Sequence, residues 1–291
     1  MHLPQFNYLA PQTTDELSQL LSQYKGKARI LAGGTDLLVL MKNRLLRPEY
    51  VVDISGLEQL RGITRNNGQG VTIGAGTKLE VVERSDLIKQ QYLSLHQAMT
   101  AIGSAQVRAT ASLGGNSCNA SPAADSPPAL IVLGAKVVLV SQQGRREMAL
   151  EDFITGPREI ALNDDEYLES IIIPPPWPNS ANRFYALGKR DGMECDLVNL
   201  AVNLALDPKA GTISQVAIAM GAVGPKPLRA RQAEKVLQGQ KPEEALIEKA
   251  AQAAVADTQA MDDFRACANY RQEAIRTLTG RLLRETLNAI G

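Results

Sequence analysis

Leu17, Leu20 and Leu21 recur at the spacing of one helix face, Thr13 with Glu16 makes a capping box ahead of them, and Gly26 is a natural stop. The pattern predicts a helix over 14–25. Ala28, Ile30, Leu31 and Ala32 then read as a short buried strand, Gly33-Gly34 as a turn, 37–44 as a helix and 50–54 as the next strand. A small α/β lobe results. A second lobe opens at 70–76 and continues with helical patterns near 79–85 and 91–102, a glycine turn at 114–115 and a strand at 136–141. Pro174-Pro175-Pro176-Trp177-Pro178 can continue neither a helix nor a central strand, so it marks a domain boundary. Beyond it, the pattern predicts strands near 183–188, 198–206 and 213–222 and helices near 230–237, 243–256 and 262–288. The expected fold class is α+β, with domains at 1–55, 56–176 and 177–291 and no internal repeat.

Composition narrows the choice of partner. The chain of 291 residues balances 31 basic against 31 acidic side chains and carries only 4% aromatics, with no basic block. Nothing in it suits a nucleic-acid groove or an anionic membrane. There is no leader pattern at the N-terminus and no apolar run of membrane-spanning length, so a cytoplasmic protein is expected. Cys118, Cys195 and Cys267 lie far apart and form no CxxC, which suits neither a disulfide framework nor a cysteine-ligated zinc or iron–sulfur site.

Two glycine-rich turns carry the candidate chemistry, Ala32-Gly33-Gly34-Thr35-Asp36 after a strand and Ser112-Leu113-Gly114-Gly115-Asn116 after a polar stretch. Glycine lets successive backbone N–H groups converge on an anion, and a helix N-terminus adds its partial positive charge. Each is open to two readings, a phosphate cradle or a plain tight turn. Neither leads into GK[ST], and Gly74-Ala75-Gly76 lacks the third glycine and acidic strand end of a dinucleotide fingerprint, so a P-loop and a Rossmann NAD site are disfavoured. Asp36 and Asp125 are equally open to being helix or turn caps, Lys189 and Arg190 to being solvated charges, and Cys118 and Cys195 to being small buried packing residues. His96 has no ligand partner in sequence and reads as structural.

The stretches LAGGTDLLVLMK (31–42), VDISGLEQLRGI (52–63), IGAGT (73–77), IGSAQVRATASLGGNSCNASPAADSPPAL (102–130), ESIIIPPP (169–176), MGAVGPKPLRA (220–230) and, more weakly, FRACANYRQEAIRTL (264–278) follow one another without a large gap. In order and spacing they resemble the flavin subunits and domains of the xanthine dehydrogenase and carbon monoxide dehydrogenase family of molybdenum hydroxylases. The resemblance implies an FAD-binding fold of the vanillyl-alcohol oxidase type, in which two lobes clasp the cofactor and a C-terminal α+β domain covers its ring. Carried over, Ala32, Gly33, Gly34, Thr35 and Asp36 would bind the pyrophosphate, Ile30, Leu31 and Leu37 would wall the adenine side, and Ala111, Ser112, Leu113, Gly114, Gly115 and Asn116 would close the other side. Asp125 would hydrogen-bond sugar hydroxyls, Leu168 would make an apolar contact, and Ile102 would sit near the ring where animal enzymes have an aromatic. Lys189 falls in the loop that faces the flavin, where Glu194-Cys195 departs from the family pattern. The implied partners are an iron–sulfur small subunit and a molybdopterin large subunit, with NAD or another acceptor taking the electrons. No residue of this chain need be an acid–base catalyst or metal ligand. A stand-alone flavin oxidoreductase and an interaction protein without cofactor are the rival readings.

Overall fold

The structure, a computed structural model, describes residues 2–66, 68–190 and 192–290. In the first lobe, β1 (Asn7–Leu9), α1 (Thr14–Gln23), β2 (Ala28–Leu31), α2 (Leu37–Lys42) and β3 (Tyr50–Asp53) build a parallel sheet of order β1-β3-β2. Thr13 Oγ1 accepts the Glu16 N–H at 3.1 Å, as the capping motif requires. The Glu16 carboxylate reaches one residue further back than a regular capping box and takes the Gln12 N–H at 2.7 Å. Leu17 and Leu21 face inward against Val52, Ile54, Leu57 and Leu60, and Tyr167 of the second lobe closes this core.

The second lobe runs through β4 (Ile63–Arg65), β5 (Val71–Gly74), α3 (Leu79–Arg84), α4 (Asp86–Gln91), α5 (Leu93–Ala101), α6 (Ala105–Arg108), α7 (Leu113–Asn119), α8 (Ser126–Val132), β6 (Lys136–Ser141), β7 (Gly144–Ala149), α9 (Leu150–Phe153), β8 (Ile154–Gly156), β9 (Glu159–Ile160) and β10 (Tyr167–Ile173). Its main sheet is antiparallel in the order β4-β5-β10-β6-β7. The expected turn at 114–115 is instead the first turn of α7, because the Ser112 hydroxyl caps it and helical bonding starts with the Asn116 N–H on the Ser112 carbonyl.

Beyond the proline cluster, β11 (Ser180–Leu187), β12 (Val198–Leu206), β13 (Ile213–Gly221) and β14 (Leu228–Arg229) form an antiparallel sheet in that order, followed by α10 (Arg231–Leu237), α11 (Glu244–Val255) and α12 (Ala268–Asn288). The alternation of β12 explains its burial on both faces. Val198, Leu200, Val202 and Leu204 pack on the helices, whereas Ala201, with Phe184, Ala217 and Ala219, joins the core of the second lobe. Asn199 and Asn203 share that second face and bond across the seam, to the carbonyls of Ala124 at 3.4 Å and Val132 at 3.1 Å. The last helix begins at Ala268 rather than 262, since Asp263 Oδ1 accepts the N–H groups of Arg265 and Ala266 and holds that stretch in a turn. Among the described residues no helix is long and apolar enough to cross a membrane.

Candidate flavin site

The first glycine turn leaves β2 and enters α2. At Gly33 a Cβ would lie 2.1 Å from the Thr110 carbonyl oxygen and 2.8 Å from Ala111 Cα, so the missing side chain is what lets the first lobe press its backbone onto the second. Gly34 has a φ of +70°, the left-handed conformation that turns the chain back over Leu31 and Leu38. Among the described residues, no hydrogen bond within the chain uses the N–H of Gly33, Gly34, Thr35, Asp36 or Leu37. Five successive donors are thus left for something outside the chain, at the positive end of a short helix. Asp36 precedes α2 but its side chain makes no capping bond, which removes the plain structural reading for it. Ile30, Leu31 and Leu37 flank the turn half-buried.

The second turn is built differently. The N–H groups of Leu113, Gly114 and Asn116 go to the carbonyls of Thr77, Ala75 and Ser112, each at 2.9 Å, and that of Gly115 goes to Ser112 Oγ at 3.1 Å. A cradle of converging N–H groups, expected from the glycines, is therefore not what this turn offers. Its glycines serve packing: a Cβ on Gly114 would come within 2.5 Å of Ala75 Cβ, so the IGAGT stretch is the floor on which α7 rests. Asn116 Oδ1 accepts the Ser126 hydroxyl and ties α7 to α8. Thr110 and Ala111, against Gly33, bring Ser112 beside the first turn.

The remaining candidates are spread over the second lobe and the loop before β12. Ile102 is buried, its carbonyl held by Arg108 Nη1 at 3.0 Å, and Arg108 is itself paired with Glu83 at 2.7 Å. The neighbouring Gly103 carbonyl receives the N–H of Met193 at 3.4 Å, so the loop that carries Met193 meets the Ile102 corner. Within that loop Lys189 is exposed and its N–H binds Glu194 Oε2 at 2.9 Å. Cys195 is exposed too, against the buried packing role open to it in sequence, whereas burial pushes the Cys118 thiol up to about 12. His96 Nδ1 meets the Glu83 carbonyl at 2.9 Å, a structural bond. Leu168 lies in β10, buried at a register shift.

Asp125 begins α8, yet its side chain caps nothing, and Oδ1 is buried without a partner. Burial, and next the carboxyl of Asp196 within hydrogen-bonding reach, hold Asp125 well above the usual carboxylate range. Three residues that sequence reasoning passed over converge here. Asp196 and Asn199 contact this corner from the third sheet, and Arg271, 3% exposed, donates to the carbonyls of Leu197 and Ala222 and to Asp263. A signal existed for Arg271, a cation on the apolar side of the last helix, but none marked the pairing of Asp196 with a residue 71 positions away.

Residues 4–176 match the FAD binding domain in molybdopterin dehydrogenase, and residues 183–286 match the CO dehydrogenase flavoprotein C-terminal domain. The chain belongs to this flavoprotein family. It is similar to the nicotinate dehydrogenase FAD-subunit of Eubacterium barkeri, 35% identical over 238 residues that cover 80% of each chain. The glyceraldehyde dehydrogenase medium chain of Sulfolobus acidocaldarius is 31% identical over 98% of this chain and 99% of its own. Among solved structures, that of the Cu,Mo-CO dehydrogenase superposes with a TM-score of 0.94 at 29% identity, all of both chains being covered. The protein is accordingly an FAD-binding oxidoreductase of the xanthine and carbon monoxide dehydrogenase type, with the α+β fold of a carbon monoxide dehydrogenase medium chain.

Proposed function

We propose that this chain is the FAD-bearing subunit of a molybdenum hydroxylase complex, receiving electrons from an iron–sulfur small subunit, itself fed by a molybdopterin large subunit, and passing them to NAD or another acceptor. The observation that carries the reading is the row of five unengaged N–H donors from Gly33 to Leu37, pressed against Thr110-Ala111 of the other lobe. Such a row fits a diphosphate, and the orphaned Asp125 Oδ1 fits a sugar hydroxyl. FAD, when bound, supplies a ring that takes up and releases electrons singly or in pairs.

The residues of the chain do the holding. The N–H groups of Gly33 to Leu37 neutralise the phosphate charge, and Ala32, Ile30, Leu31 and Leu37 wall the adenine side. Ala111, Ser112 and Asn116 close the opposite side with side chains and backbone, while Leu113, Gly114 and Gly115 keep α7 seated. Asp125 fixes the sugar chain, Ile102 and Leu168 back the cofactor with apolar surface, and Lys189 stands at the rim. Residues 1–55 and 56–176 form the two clasping lobes and 177–291 the cover. Cofactor released by denaturing the purified chain, identified by chromatography, is expected to be FAD at about one per chain; FMN alone, or no flavin from folded protein, overturns the reading.

A further inference from the structure

Asp125 and Asp196 approach from opposite sides of the seam between the second lobe and the third sheet, and their carboxyls meet within hydrogen-bonding reach. Asp196 is 8% exposed. Its Oδ2 accepts Asn199 Nδ2 at 2.9 Å, and the same amide reaches the Ala124 carbonyl beside Asp125 at 3.4 Å. Gly221 makes room for this amide, since a Cβ there would stand 2.1 Å from Asn199 Oδ1. The charged and titratable neighbours do not neutralise the pair. Glu194 is occupied by the Lys189 N–H at 2.9 Å and by Arg190 at 3.9 Å, Cys195 faces solvent, and Arg271 spends its guanidinium on Leu197, Ala222 and Asp263. Among the described residues no cationic side chain forms an ion pair with either carboxyl.

Two carboxyls in contact, buried and without a cation cannot both ionise at low cost, so one proton stays between them. The hydrogen bond that this proton makes sets which oxygen remains free. We infer that Asp196 is a positioning residue for the cofactor site: Asp125 donates the shared proton to Asp196, which fixes the orientation of the Asp125 carboxyl and leaves one of its oxygens as an acceptor for a sugar hydroxyl of FAD. The inference rests on the FAD reading above. Burial raises both acids, Asp125 further than Asp196, which agrees with Asp125 being the proton carrier. The sign of the pH dependence follows. A group whose FAD-bound form holds its proton more tightly than the FAD-free form strengthens binding fully below the FAD-free titration point, and the gain is lost as pH climbs through the FAD-bound one. Loss of the shared proton puts two negative charges side by side and frees the Asp125 carboxyl to turn, which would weaken the hold on the anionic cofactor.

The test uses the full chain and reads FAD affinity by flavin fluorescence from about pH 5 to about pH 9. The wild-type Kd is expected to be flat on the acid side and then to rise, with a limiting slope of about tenfold per pH unit, the mark of a single proton. Asp125→Asn keeps an acceptor and donates to Asp196 permanently, so its Kd, whatever its level, should show no slope with pH. Asp196→Asn should bind more weakly on the acid side and also lose the slope. Infrared spectra of the FAD-free chain should show the carbonyl stretch of a buried neutral carboxyl, absent in Asp125→Asn. A pH-independent wild-type Kd, or a slope unchanged by Asp196→Asn, overturns the inference while leaving FAD binding intact. Failure of folded wild-type chain to take up FAD at any pH overturns the underlying reading, and the inference with it.

Discussion

Gly33 illustrates how much can depend on one absent side chain. Its position against the Thr110 carbonyl means that Gly33→Ala must push two backbones apart, at a cost of about 1–3 kcal/mol, and must widen the candidate pyrophosphate site at the same time. A lower urea midpoint together with loss of flavin per chain is expected; an unchanged midpoint would show that the two segments part freely. Arg271 acts over a longer range, because its guanidinium joins the end of loop 188–197 to the turn after β13. Arg271→Ala leaves one buried and one half-buried carbonyl without their donor and should cost on the order of 3 kcal/mol by equilibrium unfolding. At Asp263 burial pushes the carboxyl up, but the N–H groups of Arg265 and Ala266 and the Arg271 guanidinium outweigh it and hold the group at about 2. A depressed acid gives its stabilisation above its unfolded value of 3.8 and loses it as pH falls towards 2, so Asp263→Asn should flatten the acid limb of the wild-type stability profile over that window.

At the scale of elements, Thr13→Ala removes the acceptor for the Glu16 N–H and should cost about 1 kcal/mol in thermal or urea melts. That cap was legible because it is a local pairing of two residues at fixed spacing. Strands β2, β3, β6, β12 and β13 were legible for the same reason, their apolar runs being bounded by glycine or polar residues. What escaped had local chemistry opposed to its structure. Edge strand β7, Gly-Arg-Arg-Glu-Met-Ala, has no apolar alternation because it is exposed along most of its length. Helix α8, Ser126–Val132, carries Pro127-Pro128 in its first turn, where no N–H is required, so its sequence shows no apolar periodicity before Ala129. Helix α7 contains Gly114-Gly115, whose composition signals a turn while Ala75 below demands a smooth helix face. At the candidate site, the first turn was readable as a donor row. At the second, the sequence left a cradle and a plain turn equally open, since two of its N–H groups find their partners at Ala75 and Thr77, a contact no local spacing announces.

The whole molecule is held by its seams as much as by its sheets. Phe184, Ala201, Ala217 and Ala219 complete the core of the second lobe, and Asn182 Oδ1 takes the Ser94 N–H at 2.7 Å, so the proline cluster separates stretches of chain that share one interior. The intact protein should therefore unfold the second lobe and third sheet in one calorimetric transition, and residues 177–291 expressed alone should bind a hydrophobic dye; a separately melting, dye-free fragment would refute the shared core. The close approach at Gly33 also has a meaning in time. More than half of the chain separates Gly33 from Asp196. At ribosomal rates of about 5–20 residues per second, the donor row waits on the order of ten seconds for the Asp125 and Asp196 corner to be completed. Completion of the candidate cofactor site is thus a late event in the life of the nascent chain, set by the last sheet rather than by the first glycine turn.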